Sequence, residues 1–197
     1  MCSSDLPNHP KKDSTITVQP IPYDAIPLLK DLLQPNPRDY LLFVLTINNG
    51  LRISDVLRLR VRDVANLLPG QYIIVKEKKT SKKNVLMMNE VTREAVLRFM
   101  ETMPDNDKFL FSSRKGNSPL TVPYVTSLVK GWCKKVGLVG NFGTHSLRKT
   151  FGMVQRTVHG VSYEVISKRY RHSHPGVTMR YLGISDEEVN EMLMNNI

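Results

Sequence analysis

The sequence predicts a mainly α-helical domain that carries one small antiparallel β-sheet. Apolar residues recur at helical spacing over most of the chain, as at Leu147, Phe151, Val154 and Val158. One stretch, QYIIVKEKKTSKKNVLMM at 71–88, breaks that rhythm. There the apolar runs Tyr72–Val75 and Val85–Met88 flank a lysine-rich turn, which is the pattern of a β-hairpin. A length of 197 residues with 41% apolar content suits a single core.

Residues 1–18 are polar and interrupted by Pro7 and Pro10, so they read as a flexible leader. A first helix is expected from Asp24 to Leu33, with Ile26, Leu29 and Leu33 on one face. Asn36 caps the next, with Pro37 at its first position, and Asn49-Gly50 ends it. Ser54 starts a short third helix with Val56 and Leu57. After the hairpin, Asn89 caps a helix bearing Val91, Ala95 and Phe99. A loop rich in glycine, serine and proline at 112–120 precedes another, begun by Thr121 and stopped by Gly137. That helix carries Val125, Leu128, Val129, Trp132 and Val136. Helices over 145–158 and from Ser162 follow, and residues 185–195 suit a last, acidic one.

The net charge is +10, from 28 Lys and Arg against 18 Asp and Glu. Such an excess attracts polyanions, of which nucleic acid is the commonest. Cys2 and Cys133 are the only cysteines, too few for a disulfide framework or a zinc cluster. The start of the chain lacks an apolar signal core, and no run of about 18 apolar residues is present. The expectation is a soluble, cytoplasmic protein with no membrane partner.

Four stretches carry groups with chemical potential. In GTHSLRKTFG, His145 and Arg148 are three apart and so adjacent on one helix face, followed by Lys149. They lie near a helix start, where N–H groups and the dipole favour an anion; a carboxylate pairing with Arg148 is the plainer account. In NNGLRISDVLRL, Asp55 can hold the Arg52 guanidinium, as a structural ion pair or as support for a working arginine. EKKTSKK is either a solvated turn or a place from which a lysine reaches into a cleft as a proton donor. In RHSHPGVTMRYLGIS, His172 and Tyr181 are nine apart. That tyrosine is a packing residue, or a nucleophile whose phenolate nearby cations stabilise.

Taken in order, Arg, Lys, His-x-x-Arg, His and Tyr over 52–181 resemble the catalytic domain of the tyrosine recombinases, the phage-integrase family. The motifs are NGLRISDVLRL, KKTSKK, THSLRKTFG and HSHPGVTMRYL, and the likeness covers residues 20–190. The resemblance implies that family's fold, a helical domain with a small antiparallel sheet, over residues 19–197. It implies double-stranded DNA as substrate, with Arg52 and Arg148 clamping one scissile phosphate. Tyr181 would be the nucleophile, leaving a 3′-phosphotyrosyl bond and a free 5′-hydroxyl. Lys79 would protonate the leaving oxygen, with Lys78 and Lys82 as neighbouring alternatives. His145 would act as acid–base or phosphate ligand. His172, with His174 as a rival, would bond the phosphate or position the tyrosine. Asp55 would support Arg52. No cofactor, metal or ATP is implied, because the phosphodiester energy stays in the covalent bond.

The chain also departs from the family pattern. Tyr170-Arg171 stands before the later histidine where Leu-Gly is common. An 18-residue leader cannot supply the separate N-terminal DNA-clamping domain that the family usually carries, so none is expected here. The acidic stretch 185–197 resembles the tail through which family members assemble on DNA, although it could equally fold back on its own domain. Type IB topoisomerase-like relaxation and a catalytically idle DNA-binding module are the alternative functions.

Overall fold

The computed structural model describes residues 18–79, 81–102, 108–113 and 118–183, with 190, 193 and 194 beyond. The expected leader up to residue 17 and most of the acidic tail helix lie outside these residues. Among the described residues the order is α1 (Ala25–Leu33), α2 (Pro37–Asn49), α3 (Ile53–Val56), α4 (Val61–Val64), β1 (Tyr72–Lys76), β2 (Lys83–Met87), α5 (Glu90–Met100), α6 (Val122–Lys135), α7 (Thr144–Thr157), α8 (Tyr163–Tyr170) and α9 (Pro175–Leu182).

Helix α2 is the axis of the core. Asn36 accepts a hydrogen bond from the Asp39 N–H at 3.2 Å, and Pro37 at the first position gives up no needed donor. Leu41, Leu42, Phe43, Val44 and Leu45 are all fully buried, because α1, α5 and α7 pack around the helix. A helix that is apolar all round must be enclosed in this way. Each such side chain contributes on the order of 1.5–3 kcal/mol of transfer free energy. Trp132 of α6 meets Phe43 edge to face, with ring centroids 6.4 Å apart.

Gly50 ends α2 with φ +58, the left-handed conformation that glycine adopts at least cost. A Cβ at this position would run into the Phe151 ring of α7. The residue is therefore required both for the turn and for the close approach of α7. Ile21 completes the attachment of the early chain, since its N–H donates to the buried Thr150 hydroxyl of α7 at 2.7 Å.

Strands β1 and β2 form an antiparallel hairpin with Tyr72 opposite Met87 and Lys76 opposite Lys83. Two elements were not foreseen. Helix α4 is a single turn, set by the Arg60 N–H donating to Asp63 Oδ2 at 2.7 Å. Helix α9 begins at Pro175, within a His-Pro-Gly run that reads as a break but in fact places proline at N1. The third helix starts at Ile53 with Arg52 as its N-cap, one residue before the expected Ser54.

Candidate active site

Helix α7 supplies one wall of the site. Its first turn is fixed by the Gly143 N–H donating to Ser146 Oγ at 3.1 Å. Leu147 then faces the core, fully buried, and Arg148 follows with only 3% of its surface exposed. Phe151 and Val154, at helical spacing from Leu147, are half-buried. The Arg148 guanidinium donates from Nη1 to the Gly50 carbonyl at 2.7 Å and from Nη2 to the Tyr170 carbonyl at 3.0 Å. It also lies 4.2 Å from the centre of the Tyr170 ring. Two main-chain oxygens and an aromatic face thus hold the cation without neutralising it. Its described hydrogen bonds go to main-chain carbonyls, while the Glu77 carboxylate also favours its charged form. Gly152, one turn on, makes room for Tyr170: a Cβ there would lie 2.5 Å from the tyrosine hydroxyl. That hydroxyl donates to the Arg148 carbonyl.

Arg52 approaches from α3. Its ion pair is with Glu77, Nη1 to Oε2 at 2.6 Å, and not with Asp55. Asp55 is buried and accepts instead from the Lys78 N–H at 2.8 Å. The expected Arg52–Asp55 pair is corrected accordingly, because the carboxylate three residues on turns toward the hairpin and the hairpin supplies the acid. Lys79 follows Lys78 at the exposed tip. Arg52, Ser54, Lys79, Thr144, His145 and Arg148 together line one cavity of about 220 Å³.

Tyr181 stands in the last turn of α9, beside this cavity. Its hydroxyl makes a long contact of 3.5 Å with the His145 carbonyl. Its ring meets Tyr170 and His172 nearly edge-on, both at 5.7 Å between centroids. Lys149 Nζ lies 5.1 Å from the ring centre. His172 Nδ1 shares a 2.8 Å hydrogen bond with Thr178 Oγ1, which orients the imidazole from within α9. His174, the rival to His172, is the exposed N-cap of α9.

Burial first, and then this concentration of cations, set the protonation states. Burial pushes the Tyr181 phenol up to about 12, while Arg148 and Arg52 pull the other way. Burial, then Arg148 and Arg52, depress His172 to about 4. His145 is lowered too, by partial burial first and then by Arg148, Arg52, Lys149 and Lys79. Both imidazoles are therefore neutral at pH 7. Burial also lowers Lys149.

The structure brings Arg52, Lys79, His145 and Arg148 to one cavity, with Tyr181 and His172 alongside, from positions up to 129 residues apart. Sequence reasoning missed Glu77, Tyr170, Thr178 and Arg169. Glu77 is the sole acid in EKKTSKK, a signal visible in the sequence. The others depend on α8 and α9 folding against α7.

Residues 21–188 match the phage integrase family. The chain belongs to that family, and its fold is that of tyrosine recombinase catalytic domains. It is 36% identical over 158 residues to the probable integrase/recombinase YoeC of Bacillus subtilis (strain 168), covering 79% of this chain and 83% of that protein. To tyrosine recombinase XerA of Pyrococcus horikoshii it is 30% identical over 162 residues, covering 80% of this chain but 54% of the relative. The chain thus spans most of the Bacillus protein and about half of XerA. Among solved structures, XerH site-specific recombinase bound to a palindromic difH substrate, in a post-cleavage complex, aligns with a TM-score of 0.74 at 20% identity. That alignment covers 91% of this chain and 53% of the XerH chain. The XerA recombinase crystal structure aligns at 0.73 and 20% identity, covering 90% and 66%.

Proposed function

We propose that this chain is the catalytic domain of a site-specific DNA recombinase, over residues 19–197, which cuts and rejoins strands through Tyr181. The observation that carries the reading is the meeting of Arg52, Lys79, His145 and Arg148 around one cavity, with the Tyr181 hydroxyl at its edge. A phosphodiester is the anion that such a set fits. Arg148 spends one N–H of each Nη on a main-chain carbonyl and keeps further donors for the non-bridging oxygens. Arg52, steadied by Glu77, approaches the same phosphate. Its cations stabilise the charge that builds on phosphorus-bound oxygen in the transition state.

In the first step Tyr181 Oη attacks phosphorus and the bond to the 5′-oxygen breaks. The phenolic proton passes to the neutral His145 imidazole. Lys79 gives a proton to the departing 5′-oxygen. The products are a 3′-phosphotyrosyl bond and a 5′-hydroxyl, and a partner strand's 5′-hydroxyl reverses the step. His172, held by Thr178, keeps the tyrosine ring at its angle. No cofactor enters this balance of atoms. The net charge of +10 favours a duplex DNA partner. The acidic run Asp186–Glu191 suits docking on the basic body of a second copy, so the reading includes self-assembly on DNA through the tail. A DNA-acting enzyme of this kind works where the genome lies, in the cytoplasm. No helix among the described residues is long and apolar enough to cross a membrane.

Covalent capture tests the reading. Protein mixed with sheared DNA from its source, then denatured in detergent, should yield protein-linked fragments whose ends cluster at one sequence. Scattered ends would remove site-specificity, and salt-sensitive binding without adducts would remove the enzyme.

A further inference from the structure

We propose that the Arg169–Tyr170–Arg171 tripeptide is a positioning clamp that fixes the hairpin, and with it Lys79, against the Arg148 wall of the cavity. The inference rests on the reading of Lys79 as proton donor. The two arginines face one way and the tyrosine between them the other. Arg169 donates from Nη1 to Asn84 Oδ1 at 2.8 Å and to the Val85 carbonyl at 2.7 Å. Its Nε bonds the Asn49 carbonyl at 2.9 Å, and its Nη2 bonds the same oxygen. Arg171 Nη2 donates to the Lys83 carbonyl at 2.7 Å. Three successive residues of β2 are therefore held from the end of α8. Tyr170, between the two, bonds Arg148 through its carbonyl and its hydroxyl.

The grip continues through the hairpin to the other arginine. Asn84 Nδ2 donates to Glu77 Oε1 at 2.9 Å, and Glu77 Oε2 holds Arg52. Glu77 leads directly into Lys78 and Lys79 at the tip. One bonded path thus runs from Arg169 of α8 through Asn84 of β2 and Glu77, just past β1, to Arg52, the N-cap of α3. A two-stranded hairpin is marginal on its own, so its geometry depends on such external ties. Elsewhere it is tied by Asp55 to the Lys78 N–H and by Asn49 Oδ1 to the Met87 N–H, both at 2.8 Å.

Two features argue for a role beyond general packing. Arg171 has φ +57, a backbone region where glycine carries less strain, yet the chain keeps a long side chain there and uses it to reach β2. Arg169 is lowered to about 10, chiefly by burial, and so still carries its charge at neutral pH. A guanidinium in such a place needs its full set of acceptors, and here three carbonyl-type oxygens of two elements provide them.

The test compares Arg169→Met and Arg171→Gly with the wild type on two suicide DNA substrates. One has an ordinary 5′-oxygen at the scissile bond and the other a bridging 5′-sulfur, which leaves without a proton. Both variants should form adduct roughly 10-fold to 100-fold more slowly on the oxygen substrate, the scale expected for a misplaced group, but within about twofold of wild type on sulfur. Arg171→Gly should melt no lower than wild type, which separates misplacement from unfolding. Equal slowing on both substrates, or no slowing, would overturn the clamp. Hydrogen exchange on the DNA-free protein provides a second readout. Amides from 76 to 85 should exchange faster in both variants, and unchanged exchange there would also overturn it. A wild type that forms no adduct on either substrate would remove the proposed function, whereas the exchange result judges the clamp separately.

Discussion

The two walls of the cavity are built by different means. The α7 wall holds Arg148 almost wholly buried, bonded to carbonyls of Gly50 and Tyr170 and lying over an aromatic ring. The hairpin wall offers Lys79 at an exposed tip, next to Lys78, whose N–H donates to the buried Asp55. A group that must stabilise charge gains from being fixed and dry, where its field is least screened. A group that must give up a proton and regain it gains from contact with water. The division of labour in the proposed reaction follows this difference in burial.

Removing the nucleophile should have the most severe consequence. Tyr181→Phe should leave no detectable covalent adduct while DNA binding, measured by gel shift, stays near wild type. Arg148→Ala strikes the buried wall and should cost roughly 3–4 kcal/mol or more in transition-state stabilisation. It should also lower folding stability by about 1–3 kcal/mol, because two buried carbonyls lose their donor. Denaturant titration and single-turnover cleavage separate the two effects. Near-normal cleavage would return Arg148 to a structural role.

Lys79→Ala strikes the exposed wall, and the expected signature is different. Cleavage of the 5′-oxygen substrate should slow by roughly 10²-fold, the 5′-sulfur substrate should be spared, and stability should not change. A loss of stability like that of Arg148→Ala would erase the contrast between the walls. Gly152→Ala should lower stability by about 1–3 kcal/mol, since its Cβ would press on the Tyr170 hydroxyl and on Leu182. A thermal melt matching wild type would show that α8 and α9 yield easily there.

The smallest effect is a pH dependence. The unfolded chain takes up a proton on His172 near the ordinary pH of about 6.5, whereas the folded chain does so only near 4. Protons bind the unfolded state preferentially across that window, so stability should fall as pH drops through it. Denaturation midpoints at pH 7.5 and 4.5 should differ less in His172→Asn than in wild type. An equal difference in both would place the titration elsewhere.

Most of the helical framework was legible because caps and periodicity are local. Asn36-Pro37, Asn49-Gly50, Asn89 and Thr121 each mark a boundary that the folded chain keeps. Helix α4 escaped because one turn has no periodicity to read. Helix α9 escaped because Pro175 and Gly176 look like breakers until proline is seen at N1. The motif residues could be named from their order in the chain, but their partners could not. Glu77 rather than Asp55 meets Arg52 because the hairpin folds across α3, a tertiary fact absent from the spacing of 52 and 55. Likewise nothing local in RYR reveals that its two arginines face β2 while its tyrosine faces Arg148.

Peptide mapping of the adduct locates the residue that bonds covalently to DNA, which on the proposed mechanism is Tyr181. Wild-type protein trapped on a suicide substrate would be digested with nuclease and protease, and the nucleotide-bearing peptide sequenced by mass spectrometry. The residual nucleotide should be found on Tyr181 alone. Tyr170, whose hydroxyl is buried and bonded to the Arg148 carbonyl, should carry none. A nucleotide on any other residue, or an adduct that persists in Tyr181→Phe, would contradict that mechanism.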